Sequence, residues 1–89
     1  MSELAYKSII YQFLNHKLTV EEFIDLYMQQ WKSDRDDISL DPRFRRLIDR
    51  VFTSCDCYRE APKTAYEIDE KDLRNEIDLL SYIWWQYPL

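Results

Sequence analysis

Apolar residues recur at helical spacing in four parts of the chain, and polar segments separate these parts. In the first, Tyr6, Ile10 and Phe13 follow the i, i+4, i+7 spacing of one face of an α-helix. The pattern predicts helices over residues 4–16, 20 to about 32, 42 to about 58, and 70 to a stop at Pro88. We expect a common core from Tyr6, Ile9, Ile10, Phe13 and Leu14; Val20, Phe23, Ile24, Tyr27, Met28 and Trp31; Phe44, Leu47, Ile48, Val51, Phe52 and Cys55; and Leu73, Ile77, Leu80 and Trp84.

Three of the predicted helices carry recognisable start signals. Thr19 is a favoured N-cap residue, and Glu22 three positions later completes a capping box. Asp41 followed by Pro42 matches the preference for aspartate at the N-cap and proline at the first helical position. Asp69 precedes the last helix in the same way. These signals support the predicted boundaries independently of the apolar pattern.

The length and spacing of these segments predict the fold class. Four helices of similar length joined by short loops favour an all-α, antiparallel four-helix bundle, and 89 residues suffice for one domain spanning residues 1–89. The chain contains no glycine, which tight hairpins and phosphate-binding loops commonly require. Sheet-rich and nucleotide-binding folds are therefore disfavoured.

Residue types that perform catalysis or bind metals are scarce. His16 is the single histidine, and it falls where the first predicted helix ends, a place where a positive charge interacts favourably with the helix dipole. Cys55 and Cys57 are the two cysteines, and on a helix their side chains point about 200° apart. We therefore expect a protein without enzymatic activity, with no catalytic residue, metal, cofactor or small-molecule substrate.

The chain is acidic, with 17 Asp+Glu against 12 Lys+Arg and a net charge of −5. Phosphate backbones and anionic lipids repel such a protein, so we expect direct binding to neither nucleic acid nor membrane. No apolar run approaches the roughly 20 residues of a membrane-spanning helix, and the start of the chain lacks a signal-peptide pattern. We expect a cytoplasmic protein.

The charges are unevenly distributed. Residues 67–78 contain six acidic and two basic residues, and Asp69, Asp72 and Glu76 form one line along the last predicted helix. This line is either ordinary solvated surface or an anionic face that docks on a basic partner. The four arginines within residues 42–50 are expected to pair with neighbouring acids.

Three motifs resemble the immunity proteins of colicin D. They are Lys17-Leu18-Thr19-Val20-Glu21-Glu22-Phe23, the helix start Leu40-x-Pro42, and Tyr66-Glu67-Ile68-Asp69 followed by Leu73 and Glu76. The resemblance implies a four-helix protein made beside its own toxin, a nuclease that cleaves tRNA in the anticodon loop. In that family the immunity protein fills the basic active-site cleft, and its acidic groups take the place of RNA phosphates.

The resemblance also implies a partner-binding site, since Asp56 and Glu60 correspond to acidic positions of the family, and Tyr66, Glu67 and Asp69 match its motif. Together with the acidic line, the expected contacts to the basic surface of a cognate nuclease toxin are Asp56, Glu60, Tyr66, Glu67, Asp69, Asp72 and Glu76. Glu67 is the favoured contact of the motif, because Asp69 also caps a helix and Tyr66 has the alternative of packing on the bundle.

The chain departs from this family at its aromatic tail, residues 82–87, which the family lacks. Tyr82, Trp85 and Tyr87 lie off the apolar stripe, where they either cover one end of the bundle or form an interface. Two other functions thus remain open: a non-enzymatic adaptor that binds another protein through an apolar groove and the tail, and immunity to a contact-dependent inhibition toxin of other activity. A DNA-binding function through the arginines of residues 42–50 is less favoured.

Overall fold

A computed structural model describes residues 2–85 of the chain. It contains four α-helices, and the predicted all-α bundle is confirmed: α1 Ser2–Leu14, α2 Val20–Asp34, α3 Pro42–Cys57 and α4 Glu70–Trp85. The predicted tail residue Tyr87 and the predicted stop at Pro88 lie outside the described residues. None of the helices within residues 2–85 has the length and apolarity required to cross a membrane.

Contacts between helix ends define the relative directions of α1 and its two neighbours. Phe13 at the end of α1 stacks on Phe23 at the start of α2, with ring centroids 4.1 Å apart. Glu3 at the start of α1 accepts a hydrogen bond of 3.1 Å from the indole of Trp84 at the end of α4. Both α2 and α4 therefore run antiparallel to α1.

The same relationship holds for α3. Near its start, Arg45 donates a hydrogen bond of 2.8 Å to the backbone carbonyl of Asp34, the last residue of α2. Phe44 beside it contacts Trp84 near the end of α4, with ring centroids 5.3 Å apart. Each helix thus runs antiparallel to the next, and the starts of α2 and α4 share one end of the bundle with the end of α3.

The buried apolar side chains all come from the four predicted stripes. They are Tyr6, Ile10, Phe13, Val20, Phe23, Tyr27, Phe44, Leu47, Ile48, Val51, Cys55, Leu73 and Ile77. Trp31, Phe52 and Trp84 are half-buried at the edge of this core. Burying a large apolar side chain contributes about 1.5–3 kcal/mol, so this core is the main source of the bundle's stability.

The predicted start signals of α2 and α3 are confirmed. The Glu22 amide donates to Oγ1 of Thr19 at 3.1 Å, and the Thr19 amide donates to Oε1 of Glu22 at 2.9 Å. Asp41 accepts a hydrogen bond of 2.8 Å from the amide of Arg43. These side chains satisfy backbone donors that have no partner inside the helix.

The end of α1 differs from the prediction. The helix ends at Leu14, two residues early, because His16 adopts a left-handed backbone conformation with φ of 59°. The His16 amide donates to the carbonyl of Phe13 at 3.1 Å, and the Lys17 amide donates to that of Gln12 at 2.8 Å. This pair of bonds is a Schellman motif, in which glycine usually occupies the left-handed position.

Candidate partner-binding site

The connection between α3 and α4, residues 58–69, carries most of the predicted site and is closed at its base. Tyr58 and Ile68 face each other in an isolated parallel β-bridge. The Arg59 amide donates to the carbonyl of Ile68 at 2.9 Å, and the Ile68 amide donates to the carbonyl of Cys57 at 3.0 Å. We call this segment the α3–α4 loop, and its two ends are fixed side by side.

Glu67 organises the interior of the α3–α4 loop. One carboxylate oxygen lies 3.4 Å from Nε of Arg59, and the other accepts a hydrogen bond of 2.8 Å from the amide of Lys63. The side chain retains 23% of its accessible surface, so a partner reaches it only in part. Glu67 therefore holds the loop in shape, a role that the motif alone did not reveal.

Tyr66, the residue before it, is largely exposed to solvent. Its side chain is 86% exposed, and its amide hydrogen-bonds to Oγ1 of Thr64 at 3.3 Å. The alternative that this tyrosine packs on the bundle is therefore wrong. An exposed tyrosine on an ordered loop presents a large amphipathic surface of the kind enriched in protein interfaces.

The acidic residues in and next to the loop are of two kinds: one caps a helix, and the others are exposed without an ion-pair partner. Asp69 caps α4, because its carboxylate accepts a hydrogen bond of 2.9 Å from the amide of Asp72. Asp56, Glu60 and Asp72 are exposed, and their carboxylates form no ion pair with any residue between 2 and 85. These three carboxylates are consequently accessible to a basic partner.

Tyr58 reveals a wider group of acids than the sequence predicted. Its pKa is raised by partial burial and by the negative charges of Glu21, Glu70, Glu60 and Asp69. Glu21 belongs to the first turn of α2, where an acid also stabilises the helix dipole. It joins the others because the antiparallel arrangement brings the starts of α2 and α4 together.

We define the acidic end of the bundle as Glu21, Asp56, Glu60, Asp69, Glu70 and Asp72. One of these acids is partly neutralised, since Glu70 lies 2.8 Å from Nε of Arg74. Glu21 belongs to one of the motifs that carry the family resemblance. The position of Glu21 beside the other acids, however, depends on how the helices pack.

Glu76 is separated from the acidic end along the helix. It lies seven residues after Asp69, or about 10 Å along the axis of α4. Its carboxylate accepts a hydrogen bond of 2.8 Å from the hydroxyl of Ser54 in α3 and lines a groove of about 430 Å³. Tyr66 lines the same groove. The seven predicted residues thus lie in three places: four at the acidic end, Tyr66 and Glu76 at the groove, and Glu67 inside the α3–α4 loop.

The arginines of α3 were only partly predicted. Arg43 lies 3.4 Å from Asp41, whereas Arg45 binds the backbone carbonyls of Asp34 and Arg35. The other two, at positions 46 and 50, are exposed and form no ion pair within the described part of the chain. The expected pairing with acids is therefore wrong for Arg46 and Arg50.

The described residues include no group of three or more histidine, cysteine or acidic side chains arranged to hold a metal ion. Both cysteines are free thiols. Burial, followed by the nearby charge of Asp56, raises the pKa of Cys55 to about 12. This thiol is therefore protonated at neutral pH, which makes it a poor nucleophile.

The aromatic tail has no single role in the structure. Trp85 packs against the core, 6.4 Å from the ring of Phe44, and the ammonium group of Lys7 lies 5.8 Å from its centre. Tyr82 is 52% exposed and lies beside Ile83, which is 62% exposed. Of the tail residues that the structure describes, Trp84 and Trp85 thus cover the bundle, and Tyr82 and Ile83 are exposed to solvent.

Residues 1–81 match the profile of the family described as bacterial self-protective colicin-like immunity. No curated protein matches the chain. No solved structure matches it either. Because the profile covers far more than half of the 89 residues, the chain belongs to the colicin-like immunity family, whose members protect bacteria against colicin-like toxins.

Proposed function

We propose that this protein binds the nuclease domain of a cognate tRNA-cleaving toxin and blocks its active-site cleft. In this proposal the acidic end of the bundle occupies the basic cleft in place of anionic RNA. The protein acts in the cytoplasm of the bacterium that makes the toxin. It works by binding alone, as an inhibitor without catalysis, cofactor or nucleic-acid contact of its own.

The observation that carries the proposal is that acids from separate segments lie together at one end of the bundle. Glu21 at the start of α2 and Glu70 at the start of α4 line one cavity with Lys17 and Arg74, although the two acids are 49 positions apart in sequence, and the raised pKa of Tyr58 agrees with Glu60 and Asp69 lying nearby. A nuclease cleft that binds RNA must be lined by lysine and arginine. Complementary charge of this kind accelerates association and favours the correct partner.

The α3–α4 loop supports the proposal in a second way. Its base is fixed by the Tyr58–Ile68 bridge, and its interior is fixed by Glu67. A surface that is ordered before binding loses less conformational entropy in the complex. Tyr66 on this loop then serves as the apolar centre of the interface, and Asp56 and Glu60 provide charge around it.

The direct test uses the nuclease domain of the toxin encoded beside this protein. We expect an equimolar amount of the protein to abolish tRNA cleavage and association to slow markedly as salt is added, because salt screens exposed charges. Continued cleavage of tRNA in the presence of excess protein would exclude the proposed function.

Charge variants test whether the acidic end makes the contact. Asp56→Asn combined with Glu60→Gln should slow association on the order of tenfold. Asp36→Asn combined with Asp78→Asn removes the same charge from exposed positions elsewhere and serves as the matched control. Equal effects of the two double variants would show that net charge matters and that the acidic end does not.

A second candidate, an adaptor function, is favoured by exposed apolar residues on α4. Leu79, Tyr82 and Ile83 are 60%, 52% and 62% exposed. If this face binds the partner, Leu79→Ser combined with Ile83→Ser should abolish binding, and the binding should be insensitive to salt. Toxin binding that survives this double variant would show that the exposed apolar face of α4 does not contact the toxin.

A further inference from the structure

A groove separates α3 from α4 beside the α3–α4 loop. Its volume is about 430 Å³, and its lining includes Cys57, Ile68 and Tyr66. Pockets for small ligands have volumes of about 300–1,000 Å³. The groove therefore has room for a long side chain of a binding partner.

The carboxylate of Glu76 gives the groove its polar specificity. Oε1 accepts the hydrogen bond from Ser54 at 2.8 Å, and Oε2 has no hydrogen-bond or ion-pair partner within residues 2–85. The residue is half-buried, so charge interactions at this position are stronger than at the open surface. A half-buried carboxylate without a cation favours a positively charged occupant.

Two further side chains favour the same occupant. Asp49 lines the groove, and one oxygen of its carboxylate accepts a hydrogen bond of 3.0 Å from the indole of Trp31. Tyr66 also lines the groove, and a lysine or arginine cation over a tyrosine ring contributes about 0.5–2 kcal/mol.

Arg50 is the one basic residue among those that line the groove within the described part of the chain. Asp49 and Glu76 together carry two negative charges, so the lining has a net charge of −1. Arg50 opposes a cationic occupant and would favour an anionic one. Neutralising Arg50 should therefore strengthen the binding of a cationic occupant and weaken the binding of an anionic one.

From this geometry we propose that the groove receives one lysine or arginine side chain of the toxin. The inference rests on the proposed function and adds a specific contact to it. The aliphatic part of the occupant lies along Cys57 and Ile68, and its cationic group meets Glu76 below the ring of Tyr66. This contact lies beside the acidic end and fixes the toxin in one orientation.

The experiment measures dissociation constants for the complex with the toxin nuclease domain. Glu76→Gln keeps an oxygen that accepts the Ser54 hydrogen bond but removes the charge, and it should weaken binding at least about tenfold, mainly through faster dissociation. Arg50→Gln should strengthen binding several-fold. Asp78→Asn, on the same helix beside Leu14 and His16, is the matched control and should leave affinity unchanged.

The partner residue is identified by a double-mutant cycle. Each lysine and arginine of the toxin surface is neutralised in turn, and one of them should lose its effect on affinity when Glu76→Gln is present. Unchanged affinity of Glu76→Gln, or weaker binding by Arg50→Gln, would overturn the proposal while leaving inhibition by the wild-type protein intact. Failure of the wild-type protein to inhibit the toxin would instead refute the proposed function and this inference with it.

Discussion

The guanidinium of Arg59 and the carboxylate of Glu67 pair at 3.4 Å, immediately inside the bridge that closes the α3–α4 loop. The same guanidinium donates to the backbone carbonyls of Asp56 and Tyr58 at 2.9 and 2.6 Å. Arg59 thus links the last residues of α3 to the end of the loop. An acidic motif residue that seemed available to a partner is largely engaged within its own chain.

Replacing Glu67 by alanine should loosen the loop with little effect on the bundle. The Lys63 amide loses its acceptor at 2.8 Å, so its hydrogen exchange should become much faster. The ion pair is partly exposed, so the free energy of unfolding should fall by less than about 1 kcal/mol. Glu60→Ala, an exposed acid of the same loop, is the control, and equal exchange of Lys63 in both variants would refute this role.

Much of the fold was predictable because it follows from local pattern. The capping box of Thr19 and Glu22 depends on residues three positions apart, and the buried residues follow helical spacing. The role of Glu67 and the position of Glu21 were not predictable. Each depends on chain segments that meet only after packing: Arg59 across the loop for Glu67, and the start of α4 for Glu21.

The end of α1 could not be predicted from the sequence for a different reason. The apolar pattern continues through Leu14, and neither glycine nor proline follows it to mark a stop. The helix ends where the backbone of His16 enters the left-handed region, which is uncommon for a residue with a side chain. A sequence without glycine gives no local signal for this turn.

His16→Gly should therefore stabilise the protein. A residue with a Cβ atom in the left-handed region costs about 1–2 kcal/mol, and glycine avoids this cost but is more flexible when unfolded. We expect a net gain of about 0.5–1 kcal/mol in the free energy of unfolding, measured by urea denaturation. His16→Ala keeps the Cβ atom and should show no such gain. If alanine stabilises as much as glycine, backbone strain at this position is not the cause.

Stability should decline in alkaline solution, chiefly because of buried groups that resist ionisation. Burial raises the pKa of Cys55 from 9.0 to about 12, and it also raises the pKa of Tyr6 and Tyr27 above 10.0. The unfolded chain releases these protons first, so stability is complete below about pH 9 and falls as pH rises towards 12. Each such group contributes a slope of at most about 1.4 kcal/mol per pH unit.

Urea denaturation at several alkaline pH values measures this decline. Cys55→Ala lowers stability at every pH by leaving a small cavity, but the decline between about pH 9 and 10 should be shallower, because the first group to ionise on unfolding is gone. Cys57→Ala retains Cys55 and is the matched control. An identical slope in the two variants would show that Cys55 does not contribute to the pH dependence.

Arg45 and Arg46 are neighbours in α3, but only the replacement of Arg45 should lower the free energy of unfolding substantially. Arg45 donates to the carbonyls of Asp34 and Arg35 at the end of α2, where backbone acceptors have no partner in the helix. Arg45→Gln should lower the free energy of unfolding by about 2 kcal/mol, because hydrogen bonds from a charged donor are lost.

Arg46 is exposed and forms no ion pair within residues 2–85, so Arg46→Gln should change stability by less than about 0.5 kcal/mol. Urea denaturation of both variants measures the difference, and similar losses would mean that the link between α2 and α3 does not depend on Arg45.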